Sequence, residues 1–587
     1  MPRSTMLSTW MIAALALCGA MVAPGAQQKA KPLKPAPAKP VEKAARPKLV
    51  VLIVVDQMRG DYVDKFQGQW SGGLKRLVRE GAWFRNAAYP YAATETCVGH
   101  ATISTGAFPV EHGIVANTWW DRDSQKMVTC TSDPKAKNED YGASAKGGES
   151  AWRLAVPAFA DELRFQQGLA ARVVTFSLKA RAAIMLAGHQ ADAATWQDSS
   201  PWQDSGMGLW QTSTGYGPLP FIAEYTKAHP VTEDYGKTWT LSLPKSAYLY
   251  EEKSTGAGAP EGWGLTFPHP LRGKAGGSQP DAAFFLQWDT SPFADTYLTR
   301  LAETAVDQLG LDKGAGTDFL GVSYSSTDYV GHAFGPRSWE IQDILVRLDH
   351  DLGELFAHLD AKVGRGNYVV ALSADHGVAP IPEQMEKTGA DAGVLHLDEI
   401  QEAIEKVLAQ MAYPKPAVAR VSSADVYFAP GVYARLKADP SAMEEVLAAV
   451  RAVPGVREVY RAEELSGRPA TNSPTRNAEA LSYFPGRSGD LLIVPKPYWL
   501  LDWTPRGKER NYGTGHGTPW NYDQHVPVLL MGWGIRPGQY FNHATPADIA
   551  PTLAALCGIT LATRDGHVLA DALTASAPAR GLKAETP

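Results

Sequence analysis

The run Leu49-Val50-Val51-Leu52-Ile53-Val54-Val55 is apolar at every position and rich in β-branched residues. A strand without polar alternation is one buried on both faces, as in the middle of a parallel sheet. Arg172–Phe176, Phe319–Tyr324, Tyr368–Leu372, Asp490–Val494 and Val526–Met531 repeat the pattern and read as further core strands. Between them the apolar period lengthens. Leu74, Leu77 and Val78 mark a helix over Ser71–Glu80, and longer stripes predict helices over Pro292–Leu309, Ile341–Leu359 and Pro546–Cys557. Buried strands alternating with helices specify an α/β fold, a three-layer, doubly wound and mostly parallel sheet.

Two stretches break the alternation. Residues 190–290 are rich in Gly, Pro, Ser and Trp with little periodicity, and read as a loop-rich cap. Residues 386–482 keep an order of their own. Leu397, Ile400, Ile404, Val407, Leu408 and Met411 form a helical stripe, and Ala424–Phe428 and Arg457–Tyr460 are strand-like. Asp439-Pro440 opens a helix with Met443, Val446, Leu447 and Val450 on one face. This predicts a small α+β subdomain inserted into a catalytic domain spanning residues 49–574.

The chain ends carry other signals. Arg3, the apolar run Met6–Val22 and the small residues up to Ala26 read as a signal peptide over residues 1–26, cleaved after Ala20 or Ala26. The run is short for a membrane span. Residues 27–48, rich in Pro, Ala and Lys, read as a disordered linker, and residues 575–587 as a disordered tail. The net charge of the whole chain is −6, but removing residues 1–48 leaves 48 basic and 61 acidic residues. Such an acidic body excludes broad nucleic-acid binding and must hold any anionic substrate by local positive charge. The four cysteines form no Cys-x-x-Cys motif. Cys18 leaves with the signal, Cys557 sits in a helical run, and Cys97 and Cys130 can pair in an oxidising compartment; the sequence leaves open whether they do.

The candidate chemistry falls at strand ends. Asp56 closes the first strand; Lys179 and Arg181 follow the second, Asp328 and His332 the third, and Asp375-His376 the fourth. His516 lies in the loop before Val526–Met531. Ligands of doubly wound sheets bind beyond the carboxyl ends of the strands. Asp328 and His332, one helical turn apart, can meet one ion. Asp375 and His376 can address one metal, or two neighbours, from a strand-to-loop turn. Asp and His ligands without Cys suit zinc, and manganese or iron less well. Thr96 opens a short helix that stops at Gly106 and Pro109, so its hydroxyl sits where anions bind. Counting Thr96, the ligands suffice for two ions about 4 Å apart, the arrangement of phosphoryl-transfer sites. Singly, each of these residues reads as a cap or a surface loop. A set delivered by four strand ends does not. His100 reads as a packing or supporting residue rather than a ligand.

Thr94-Glu95-Thr96-Cys97-Val98-Gly99-His100, Gly113–Asn117, Lys179–Ala183, Ser326–His332, Ala374–Gly377 and Gly515-His516-Gly517 together resemble the threonine-nucleophile bacterial alkaline phosphatases. These belong to the type I phosphodiesterase/nucleotide pyrophosphatase branch of the alkaline phosphatase superfamily, and the resemblance covers about residues 49 to 560. It implies an alkaline phosphatase-like fold and a periplasmic or secreted phosphoric monoester hydrolase with two zinc ions per chain, acting on small phosphate monoesters. By the same resemblance Asp328, His332 and His516 hold one zinc. Asp56, Asp375 and His376 hold the other, with Thr96 bridging toward it. Thr96 is then the nucleophile that forms a phosphothreonine, and Asn117, Lys179 and Arg181 grip the phosphoryl oxygens. Two other readings stand beside it: a phosphodiesterase or nucleotide pyrophosphatase with the same metals, and a non-catalytic periplasmic zinc or phosphate binder, which has no need of Thr96. The Cys/Ser-x-Pro-x-Arg signature of sulfatases is absent from residues 49–574.

Overall fold

The apolar run at Leu49 forms the centre of a ten-stranded sheet in the computed structural model, which describes residues 46–141, 146–197, 208–274, 277–468, 471–562 and 564–574. The expected signal peptide, residues 575–587 and all but the last three residues of the expected linker lie outside these. Those three are already seated: Lys48 N–H donates to Asn367 O at 2.7 Å, and Thr317 Oγ1 donates to Pro47 O at 2.8 Å.

In chain order the strands of the sheet are β1 (Leu49–Val55), β2 (Ala82–Ala87), β3 (Asn138–Asp140), β4 (Val173–Ser177), β5 (Ala193–Gln197), β6 (Trp210–Ser213), β7 (Asp318–Tyr324), β8 (Tyr368–Ser373), β9 (Val528–Gly532) and β10 (Gly538–Ala544). Their spatial order is β10-β2-β9-β8-β1-β7-β4-β5-β6-β3. The five central neighbours β8, β1, β7, β4 and β5 are parallel, while β9 and β6 run against the strands on either side.

Strand β1 shows why the sheet is the core. Its odd positions Leu49, Val51, Ile53 and Val55 join one apolar cluster and its even positions Val50, Leu52 and Val54 another, as the twofold period of a strand requires. On the first side lie the helices Gly73–Glu80, Pro292–Leu309 and Trp339–Leu359; on the second lie Phe159–Gln167 and Ile549–Cys557. The architecture is thus the three-layer, mostly parallel α/β sandwich read from the sequence.

Two boundaries differ from that reading. The run at Asp490–Val494 is a strand, Leu491–Pro495, but it lies outside the central sheet. It pairs with Asp425–Phe428 and Val456–Arg461, and with Val418–Ser422 completes a four-stranded antiparallel sheet. Leu491 and Ile493 pack with Ile400, Ile404, Val446 and Val450 in a core separate from the two that flank the central sheet. An apolar run reports that it is buried, not which sheet buries it. The range 190–290 also holds more than a cap, because β5 and β6 belong to the central sheet. Ala193-Ala194-Thr195-Trp196-Gln197 is buried throughout yet carries one β-branched residue, so it lacks the composition that marks a strand.

The helix Thr96–Thr105 packs against the helix Ala180–Ala187 and ends on Gly106, whose φ of 74° is the left-handed cap that glycine takes without strain. Midway along it, a Cβ added to Gly99 would meet the Asp375 backbone carbonyl oxygen at 2.0 Å. This close approach sets the distance between the helix and the strand-end loop. Gly99→Ala is therefore expected to lower stability by about 1–3 kcal/mol through overpacking against main chain that has no rotamer to yield. Thermal unfolding of the two proteins side by side checks it, and an unchanged midpoint would refute it.

Candidate metal centre

Every candidate from the sequence except Asn117 sits at one edge of the sheet, and the topology explains how. Asp56 follows β1, Lys179 and Arg181 follow β4, Asp328 and His332 ride the helix Ser326–Phe334 after β7, and Asp375-His376 follow β8. These strands are parallel, so their carboxyl ends share an edge. Strand β9 is antiparallel, so its amino end, preceded by the loop that carries His516, lies at that same edge. Asn117 comes from the loop just ahead of the hairpin Thr118–Asp121 and Lys126–Thr129, and meets the start of the Thr96 helix.

The three imidazoles share one device. Nδ1 of His332 is bonded to Thr514 O at 2.7 Å, Nδ1 of His376 to Gly377 O at 2.9 Å and Nδ1 of His516 to Thr94 O at 2.8 Å. A carbonyl oxygen only accepts, so each ring carries a proton on Nδ1 and turns Nε2 to the carboxylates. His332 Nε2 is 3.2 Å and His516 Nε2 3.8 Å from Asp328 Oδ1, and His376 Nε2 is 3.5 Å from Asp56 Oδ1. The His376 and His516 rings stack with centroids 3.5 Å apart.

Two groups result, each with one donor atom per residue and all donors within 4.8 Å: Asp56, Asp375 and His376, and Asp328, His376 and His516. His376 faces both. The second group differs from the set the resemblance implied, with His376 entering it and His332 standing beside Asp328 at its rim. Asp56 Oδ1 and Asp375 Oδ2 are buried without a hydrogen-bond partner among the described residues. Orphaned carboxylate oxygens facing imidazole lone pairs fit divalent cations. Thr96 Oγ1 lies 3.5 Å from His376 Nε2, inside the set. Cavities of about 850 and 450 Å³ elsewhere in the chain are lined by none of these residues, so chemistry rather than volume picks out the site.

Charge governs the arrangement. Burial pushes the Asp56 carboxyl well above the usual range, and Asp328 and Asp375 add to the rise. Burial also acts on Asp328, but Lys179 and His332 outweigh it and hold that carboxyl well below. Lys179 Nζ bridges the two, 2.7 Å from Asp56 Oδ2 and 2.5 Å from Asp328 Oδ2. Burial works against its charge, yet the two carboxylates keep it protonated. Lys179 is therefore ion-paired with metal-ligand candidates, where the resemblance gave it to phosphoryl oxygens. Burial pushes His376 and His516 down, keeping them neutral and able to ligate. Arg181 is half-buried and its Nε has no hydrogen-bond partner among the described residues.

Three supporting residues escaped the sequence reading as such. Gln57 donates Nε2 to Asp328 Oδ1 at 2.5 Å and its N–H to Asp375 Oδ1 at 3.0 Å, bracing two ligands from the position after Asp56. Glu95 accepts the Asn117 N–H at 2.6 Å; burial raises its carboxyl, with Asn117, the Ser423 hydroxyl and Arg181 opposing the rise. Asp523 accepts from Thr518 beside the His516 loop, and burial pushes it up to about 8. His100 supports rather than ligates, as expected: Nδ1 is bonded to Thr96 O at 2.8 Å and stands 3.2 Å from Asp375 Oδ2, and Nε2 is bonded to Ser323 Oγ at 2.8 Å.

Residues 50–519 match the family model of the type I phosphodiesterases/nucleotide pyrophosphatases. The chain belongs to that family. It is an enzyme of the alkaline phosphatase superfamily, and its relatives include alkaline phosphatase PafA of Elizabethkingia meningoseptica, 33% identical over 88% of this chain and 92% of PafA. Alkaline phosphatase PhoV of Synechococcus elongatus is 32% identical over 90% of this chain and 93% of its own, and PhoK of a Sphingomonas species 32% over 87% and 89%. The crystal structure of PafA superposes with a TM-score of 0.80 at 31% identity, covering 90% of this chain and 99% of PafA. The murine ectonucleotide pyrophosphatase/phosphodiesterase 5 shares the fold, with a TM-score of 0.52 at 16% identity.

Removing a buried ligand leaves its partners facing one another without an ion to bind them. Asp375→Ala and His516→Ala should each lose divalent metal that the parent protein keeps through desalting. His100→Ala, which leaves every ligand candidate in place but removes the support behind Asp375, should weaken metal affinity about 10- to 100-fold. Competition with a graded chelator measures both; equal affinity in all four proteins would refute the assignment.

Proposed function

We propose that the chain is an exported, zinc-dependent alkaline phosphatase that hydrolyses phosphate monoesters through a phosphothreonine on Thr96. The observation that carries this reading is the position of Thr96 Oγ1, at the first turn of a helix and 3.5 Å from His376 Nε2 within two sets of candidate metal ligands. A non-catalytic binder has no use for a hydroxyl there. The residues that would hold the ions are Asp56, Asp375 and His376 on one side and Asp328, His332 and His516 on the other, with Thr96 reaching toward the first. Two bound zinc ions would supply Lewis acidity and offset the charge of the transferring phosphoryl group.

The protein's own groups account for the rest. Thr96 Oγ attacks phosphorus in line with the departing ester oxygen: the Oγ–P bond forms as the ester P–O bond breaks. Backbone N–H groups at the helix start favour the phosphoryl charge. Asn117 has Oδ1 engaged by Cys97 N–H, so its Nδ2 is the end left to donate. Arg181 offers a planar fork with a free Nε, and Lys179 a compact charge between Asp56 and Asp328. Water then attacks the phosphothreonine and releases inorganic phosphate.

Support for these four roles comes from PafA. A PafA crystal structure, with a TM-score of 0.79 and 30% identity to this chain, is of a mutant changed at one threonine, one asparagine, one lysine and one arginine. The four follow one another in the order and at the sequence intervals of Thr96, Asn117, Lys179 and Arg181. Export is supported by the apolar run after Arg3 and by the Cys97–Cys130 disulfide, a bond that persists in oxidising compartments. No helix among the described residues is long and apolar enough to cross a membrane.

Thr96→Ala should abolish nearly all turnover while fold and metal content persist, and Thr96→Ser should retain part, since its hydroxyl survives. Full activity in the alanine variant would sink the mechanism. Substrate class is decided by the two cations. A monoester dianion presents three non-bridging oxygens, whereas a diester presents two and a second, uncharged substituent that offers a cation no charge to meet. Replacing Lys179 and Arg181 together by alanine should lower monoester turnover far more than diester turnover. The ratio should narrow by orders of magnitude, since a charged contact contributes about 2 kcal/mol. Equal losses, or a parent enzyme that prefers diesters, would favour the phosphodiesterase reading.

A further inference from the structure

One residue of the site that is neither a metal-ligand candidate nor the proposed nucleophile is held at three of its polar groups. Asn117 has three of its four polar groups tied to the segment Glu95-Thr96-Cys97 or to its covalent partner. Its N–H donates to Glu95 Oε2 at 2.6 Å, and its Oδ1 accepts from Cys97 N–H at 2.8 Å. Its carbonyl accepts from Cys130 N–H at 2.9 Å. Cys97 and Cys130, 33 residues apart, are joined by a disulfide, and both are fully buried.

These contacts close a ring. Asn117 leads into the hairpin Thr118–Asp121 and Lys126–Thr129, and Cys130 follows its second strand. Without the disulfide, the hairpin would be joined to the nucleophile helix by hydrogen bonds and packing. With it, the two backbone N–H groups that hold Asn117 belong to residues covalently linked, one of them next to Thr96. The fourth group, Nδ2, is fixed in direction because the other three are taken.

We propose that the Cys97–Cys130 disulfide and Glu95 form a clamp that positions the Asn117 amide relative to Thr96. This makes Cys97, Cys130 and Glu95 positioning residues for phosphoryl transfer. The proposal rests on the reading of Asn117 as a donor to the phosphoryl group. Its consequence is specific: the clamp acts only through Asn117, so it should matter little once the Asn117 side chain is gone. A bridge that merely stabilises the fold would matter equally with or without it.

A double-mutant cycle separates the two. The parent protein, Asn117→Ala, the Cys97→Ala/Cys130→Ala pair and the combined triple variant are assayed for kcat and KM on a phosphate monoester, with metal content measured in each. In the parent background Asn117→Ala should cost about 100-fold in kcat, the scale of one lost oxyanion donor. The disulfide-free protein should lose about tenfold or more in kcat at unchanged metal content, since small misplacements of a catalytic group carry such penalties. In that background Asn117→Ala should cost about tenfold less than in the parent. Additive losses would overturn the clamp while leaving the role of Asn117 intact. No effect of Asn117→Ala in the parent would overturn that role, and the clamp with it. Should the disulfide-free chain fail to fold, the same cycle run with Glu95→Ala decides, because the bridge is then retained. Glu95→Gln, which keeps an acceptor oxygen for the Asn117 N–H, should restore most of the rate; failure of that rescue would also count against the clamp.

Discussion

Three carboxylates, three imidazoles and one ammonium are gathered at one edge of the sheet, most of them where almost no water can screen them. Asp56, Asp375 and His376 are wholly buried, and Asp328 nearly so. Carboxylates so close in a low-dielectric setting repel strongly, and without compensation they would take up protons or force the site apart. Lys179 offsets part of this by bridging Asp56 and Asp328. It leaves Asp56 Oδ1 and Asp375 Oδ2 facing His376 without hydrogen bonds. The negative charge of these ligand groups is thus balanced only in part by the protein itself, which is the electrostatic basis for binding cations there.

Such a concentration of charge is possible because the scaffold under it is rigid and apolar. Five parallel strands end along one edge, and the antiparallel β9 delivers the His516 loop to that same edge. Backbone carbonyls then fix each imidazole, so ring orientation depends on main chain rather than on mobile side chains. Gly99 completes the frame from the other side, letting the Thr96 helix touch the Asp375 main chain directly.

The strands that carry ligands were legible because a central parallel strand has nothing to alternate with. β1, β4, β7 and β8 announce themselves as apolar runs, and the residue types just beyond them stand out against that background. β5 and β6 were hidden for the opposite reason, being short and weakly β-branched inside a stretch dominated by loop residues. The supporting residues were hidden by ambiguity of role. A glutamate before a helix reads as a favourable charge near the dipole, and only the fold reveals that Glu95 holds the Asn117 N–H. Nor can spacing tell that His376 faces both ligand groups, since its adjacency to Asp375 is compatible with either one.

The inserted subdomain shows how far the site's support extends. Most of its apolar residues form a core apart from the two that flank the central sheet, which by itself would let it move as a passive appendage. The hairpin joining Val418–Ser422 to Asp425–Phe428 argues otherwise. Ser423 at its tip presents its hydroxyl to Glu95, and Asp425 is pushed up to about 7 by burial, with the Glu95 charge adding to the rise. Arg122, on the hairpin that follows Asn117, reaches Asp490 and packs over Tyr427 in the same subdomain. Glu95, at the start of the Thr96 helix, and the hairpin that follows Asn117 are thus both braced from outside the central sheet. A shift of the subdomain would reach Thr96 through Glu95 and Asn117, so the insertion bears on the Thr96 side of the site.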